Sequence, residues 1–90
     1  MKNLQNNDLI GKVVLSKAGR DKNNLYVIVR QMNEDYVLLA NGNTKSINMP
    51  KKKKLKHLSI LEDTDDEIIS SIKSCDKGTD LKIKRFLKLK

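Results

Sequence analysis

Between residues 12 and 40 the apolar residues come in short runs, none longer than five, and each run is closed by residues that turn a chain. Residues 12–15 (KVVL) carry Val13, Val14 and Leu15, types that favour extended structure. A nine-residue basic loop follows over 16–24, in which Gly19, Asp21, Asn23 and Asn24 are turn formers. Residues 25–30 (LYVIVR) read as a second strand, and Asn33, Glu34 and Asp35 turn the chain into a third over 36–40 (YVLLA). Asn41-Gly42-Asn43 predicts a tight hairpin turn. Residues 44–48 then return as a polar fourth strand at an edge, stopped by Pro50. The four lysines 51–54 come next, and apolar residues at 55, 58 and 60 predict a short final strand over 55–60. Short strands with tight turns predict a mainly β chain, folded as a small barrel or sandwich. A closed barrel would also hide the sheet edges that a basic monomer must protect.

The period changes after residue 62. Thr64-Asp65-Asp66-Glu67 fits a capping box, with a hydroxyl at the cap and Glu three residues later. Ile68, Ile72 and Cys75 then share one helical face, and Gly78 ends the helix. On that face Cys75 reads as a small core residue. Thr79-Asp80 can cap a second helix with Ile83, Phe86 and Leu87 on one side. The alternation of Leu81, Ile83, Leu87 and Leu89 leaves a strand open there, with the helix favoured. The expected organisation is a basic β domain over 1–62 and a helical extension over 63–90, packed on the domain or tethered to it.

Several function classes fall away. At 90 residues there is material for one domain and no deep cleft between two. No apolar run is long enough to span a bilayer, and the opening MKNLQNND has no apolar segment of the kind a signal peptide needs. A single cysteine, Cys75, and a single histidine, His57, offer neither an intrachain disulfide nor a zinc cluster. Asp63, Asp65, Asp66 and Glu67 look like metal ligands in composition, but helix capping accounts for them. No phosphate-binding glycine loop or nucleophile triad occurs. The expectation is a cytoplasmic, non-enzymatic protein that needs no cofactor or metal, monomeric when free and not bound to a membrane.

The net charge of +8 points to a polyanion, and its distribution says where it binds. Residues 1–62 hold twelve Lys/Arg against five Asp/Glu, whereas 63–90 hold seven against six. Three basic clusters stand out. One is Lys17, Arg20 and Lys22 in the first loop; the second is Lys45 near the tight turn; the third is Lys51, Lys52, Lys53, Lys54 and Lys56, followed by His57. Consecutive lysines repel one another unless anions relieve them, and phosphates do so with release of counterions. The competing reading is a solvated, disorder-prone run; its place between apolar segments argues against that. Sixteen lysines against three arginines favour contact with the backbone over base reading. Arg20, at a loop tip, has two readings: a bidentate ligand contact, or a surface charge paired with Asp21. The only aromatics are Tyr26, Tyr36 and Phe86, and both tyrosines lie in apolar strands where they read as core. Single-strand readers need exposed aromatics, so structured RNA recognised by shape is the favoured ligand.

Residues 11–22, Gly11-Lys12-Val13-Val14-Leu15-Ser16-Lys17-Ala18-Gly19-Arg20-Asp21-Lys22, resemble the KOW motif: a strand, a basic loop around a glycine, then an apolar strand. Together with PKKKKLKHL over 50–58, the chain resembles the small bacterial KOW-domain RNA-binding proteins, which are related to KOW-type large-subunit ribosomal proteins of archaea and eukaryotes. The likeness covers residues 10–60. It implies an SH3-like barrel of about five strands and binding to ribosomal RNA, with ribosomal proteins as further neighbours. By position, Gly19 is then the loop glycine, and Lys17, Arg20 and Lys22 face RNA. The family usually has glycine where this chain has Asn23, a residue that tolerates positive φ. KOW domains of transcription elongation factors also bind proteins. A rival expectation is therefore a protein-interaction module of the transcription and translation machinery, docking through Ile68, Ile72, Phe86 and Leu87.

Overall fold

The computed structural model describes residues 9–90, so the reading of the opening eight residues lies outside it. Five strands, β1 (Lys12–Ser16), β2 (Leu25–Gln31), β3 (Tyr36–Ala40), β4 (Lys51–Lys54) and β5 (Leu58–Asp63), form one antiparallel sheet in the order β4-β3-β2-β1-β5. Two helices, α1 (Asp66–Ser74) and α2 (Thr79–Lys88), complete the chain. The molecule is mainly β, as its short apolar runs predict. β4 and β5 are the sheet's two edges, and no strand pairing joins them.

The valine-rich strands bury both their faces, as a sheet covered on two sides must. Odd and even residues of β1 and β2 divide accordingly. Val14, Tyr26, Ile28, Val37, Leu39 and Leu58 form one core inside the curve of the sheet. Val13, Val27 and Ala40 form a second core with Ile68 and Ile72 of α1 and Ile83 of α2. Two irregularities curl the sheet. Val29 is an extra residue between the pairs Ile28–Leu39 and Arg30–Leu38, and Leu61 is extra between Val13–Glu62 and Val14–Ile60. Ile28 is fully buried, but Leu38 is only half-buried and its neighbour Leu39 takes the core position.

The sequence reading fails at the fourth and fifth strands. Residues 44–48 form no strand; only an isolated bridge between Ser46 and Met49 lies there. The edge strand is the lysine run itself, immediately after Pro50, where a proline is tolerated because it precedes the ladder. The Asn41-Gly42-Asn43 turn does form, with Asn41 Oδ1 accepting from the Asn43 and Lys45 amides. It opens into a longer connection and does not close a hairpin between adjacent strands. The expected strand over 55–60 is a 3-10 turn, Leu55–His57, followed by β5.

The tail is two helices, which resolves the strand alternative for α2. Asp65, not Thr64, caps α1, accepting from the Ile68 amide at 3.0 Å. Thr64 is buried, and its hydroxyl donates to the Gly11 carbonyl at 2.7 Å, pinning the tail to the entry of β1. The helix ends before Cys75, not at Gly78. Cys75 takes φ 56° in the left-handed region, and its amide and that of Asp76 close back on Ile72 and Ser71 in a Schellman arrangement. Cys75 is therefore exposed at a helix end and is not part of the core.

Candidate nucleic-acid interface

The loop between β1 and β2 is built around a buried carboxylate. Residues 17–24 fold back through short backbone bonds: Asn23 amide to Ser16 carbonyl at 2.7 Å, Asn24 amide to Asp21 carbonyl at 3.0 Å, Lys22 amide to Gly19 carbonyl at 3.2 Å. Two residues enter the left-handed region, Gly19 at φ 85° and Asn23 at φ 75°, so asparagine serves where glycine is the usual solution. This geometry turns Asp21 inward. Its carboxylate accepts from Ser16 Oγ at 3.0 Å, from the Tyr26 hydroxyl at 3.3 Å and from Lys53 Nζ at 2.9 Å, with Lys51 Nζ 3.6 Å away. Burial alone pushes the Asp21 carboxyl up. The hydrogen bonds from Lys53 and Ser16, with the charges of Lys53 and Lys51, overcome this and hold it at about 2. The Tyr26 hydroxyl is shifted upward, by burial first and then by the Asp21 charge.

The lysine run divides because a strand alternates its faces. Lys51 and Lys53 lie opposite Leu39 and Val37, at the rim of the inner core, and reach across to Asp21. Lys53 Nζ also donates to the Ala18 carbonyl at 2.9 Å, and its side chain is only 13% exposed, too enclosed to serve an external ligand. Lys52 and Lys54 point the other way, with their ammonium groups 4.6 and 5.8 Å from the centre of the Tyr36 ring. Tyr26 is core, as read, whereas Tyr36 is half-buried beneath these two cations.

Of the predicted site residues, the structure brings two clusters together. The Lys17 amide donates to the His57 carbonyl at 2.9 Å, so the first loop sits against the 3-10 turn that carries Lys56 and His57. Lys17, Gly19, Arg20, Lys22 and Lys56 are exposed, and the four cations among them have no ion-pair partner among the described residues. Arg20 does not pair with Asp21, which is occupied by lysines. Lys45 belongs elsewhere. It closes the 41–45 turn, which packs against α2, where a Cβ on Gly42 would collide with the Asp80 carbonyl. The residue that sequence reasoning passed over is Asp21. Its signal was an acid alone in a basic loop, facing a lysine run whose alternate members share a face.

The four side chains expected to dock a partner are occupied within the fold. Ile68 and Ile72 are buried, and Phe86 and Leu87 pack on the same core. A groove of about 590 Å³ bordered by Arg30, Leu38, Ile47, Pro50 and Cys75 contains none of the predicted RNA-binding residues; of the four docking residues only Ile72 reaches its wall. No helix among the described residues is long and apolar enough to cross a membrane. A scan against protein-family models finds no match to this chain, and a search of curated proteins finds none either.

Proposed function

We propose that this protein binds structured RNA through phosphate contacts, as a non-enzymatic KOW-type protein of the cytoplasm associated with the ribosome or its assembly. One observation carries the reading. Four exposed cations, Lys17, Arg20, Lys22 and Lys56, are gathered on two adjoining segments, and the one acid of the loop is turned inward and neutralised by Lys53 and Lys51. These cations outnumber the carboxylates beside them, of which Glu34 and Asp35 border Lys56; the excess suits a phosphate backbone and carries no base-reading geometry. Lys52 is exposed too, on the face of β4 turned away from Asp21.

The finer assignment rests on the resemblance over residues 10–60 and on the chain path. Only three residues separate β4 from β5, so the two edges of the sheet are at most about 14 Å apart at that point. Edges held that close support an SH3-like barrel. Titrating a labelled ribosomal RNA hairpin at several salt concentrations tests the proposal. With about five phosphates neutralised, log K falls against log salt with a slope of about −4. An affinity independent of salt overturns it.

A further inference from the structure

We propose that Asp21 is a positioning residue for RNA binding: a negative charge whose removal weakens the protein's grip on a polyanion. The inference rests on the RNA reading above and adds a sign to it. Coulomb's law alone gives the opposite expectation. A carboxylate within a basic surface repels phosphate, and deleting it raises the local charge by one and releases two lysines.

The geometry argues otherwise. Lys53 is enclosed, and its ammonium ties Asp21 and the Ala18 carbonyl into one knot beneath the loop tip. Ser16 Oγ and the Tyr26 hydroxyl, both anchored in the buried part of strands β1 and β2, hold the same carboxylate from the sheet side. A Cβ on Gly19 would lie 3.4 Å from Lys53 Nζ, so the knot is packed directly against the loop glycine. Arg20 and Lys22 flank Asp21 in sequence and are exposed while it is buried. Turning Asp21 inward is what turns its two neighbours outward. Without the knot, loop 17–24 has its own backbone bonds but no side-chain tether to β4, and the ordering of Arg20, Lys22 and Lys17 must be supplied at the moment of binding. Ordering a long side chain on association weakens affinity by a factor of about two to ten.

The test measures binding of a fluorescein-labelled RNA hairpin to the full chain and to three variants, each checked for folding by circular dichroism. Asp35→Asn sets the baseline: it removes an exposed carboxylate that makes no ion pair among the described residues, and binds slightly tighter. Asp21→Asn binds about fivefold weaker despite the same change in charge. Ser16→Ala keeps every charge, removes one bond to the carboxylate, and binds about twofold weaker with an unchanged salt slope. Equal or tighter binding by folded Asp21→Asn overturns the inference and leaves the RNA reading standing. Where Asp21→Asn does not fold, unchanged affinity of Ser16→Ala overturns it. Absence of salt-dependent binding by the unaltered protein overturns the RNA reading, and this inference with it.

Discussion

The two faces of the sheet are made in different ways. The buried residues of the inner core all come from strands, with Leu9 and, from the 3-10 turn, Leu55 packed against them, and this core ends in a polar knot at Asp21. The outer core has only Val13, Val27 and Ala40 from the sheet at its centre and depends on Ile68, Ile72 and Ile83 to cover them. One face is therefore a product of the first 63 residues, and the other does not exist until the tail arrives. The difference means that residues 63–90, nearly neutral and outside the motif, are a structural half of the fold and not an appendage.

The strongest way to break the comparison is to delete residues 64–90. Val13, Val27 and Ala40 would then face water, and the expected outcome is loss of cooperative unfolding, read by urea denaturation. Next come single truncations, one on each side. Ile28→Ala in the inner core and Ile83→Ala in the outer core are each expected to cost about 3 kcal/mol, while Leu38→Ala, half-buried, costs less. Equal costs at 28 and 83 in chemical denaturation establish that both faces contribute alike; a near-zero cost at 83 sinks the view of the tail as core.

Acid probes the knot. Asp21 has its pKa lowered to about 2 in the folded chain, against about 3.9 when unfolded. Its stabilisation, about 2 kcal/mol, is fully present above pH 4 and is lost as pH falls from about 4 through 2. Denaturation curves across that window are steeper in pH for the unaltered protein than for Asp21→Asn. The smallest effect concerns the outward lysines. Lys52→Ala changes stability by less than about 0.5 kcal/mol, as a surface cation over a ring should, whereas Lys53→Ala leaves Asp21 buried with a weaker partner and costs more. Equal melting temperatures for the two would erase the division of the lysine strand.

Much of the inner face was legible in the sequence because its signals are local. The runs 12–15, 25–30 and 36–40 carry β-branched residues between turn formers, and the structure places β1, β2 and β3 within a residue of them. Helix α2 followed its period-3.6 face at Ile83, Phe86 and Leu87. What was not legible depends on partners distant in the chain. Four lysines have no strand propensity to speak of; they become a strand because β3 supplies a ladder, Asp21 receives two ammonium groups, and Tyr36 receives the other two. The spacing of Thr64 to Glu67 predicts a cap at Thr64, but the Gly11 carbonyl, far away in sequence, takes its hydroxyl. At the candidate site the exposed cations are legible from their clustering in the first loop and after Pro50. The inward turn of Asp21 was not, since nothing local distinguishes an acid that pairs with Arg20 from one that crosses to Lys53.

A lysine edge also governs how copies of this protein meet. The free side of β4 offers unpaired backbone groups to any passing strand, yet a second β4 laid alongside would bring eight ammonium groups together. The opposite edge, β5, has apolar Ile60 and Leu61 exposed, but its extra residue bends the strand out of line for pairing. Concentrated solutions should therefore stay free of fibrils at low ionic strength. Salt that screens the lysines removes one of the two guards, and turbidity should appear first there.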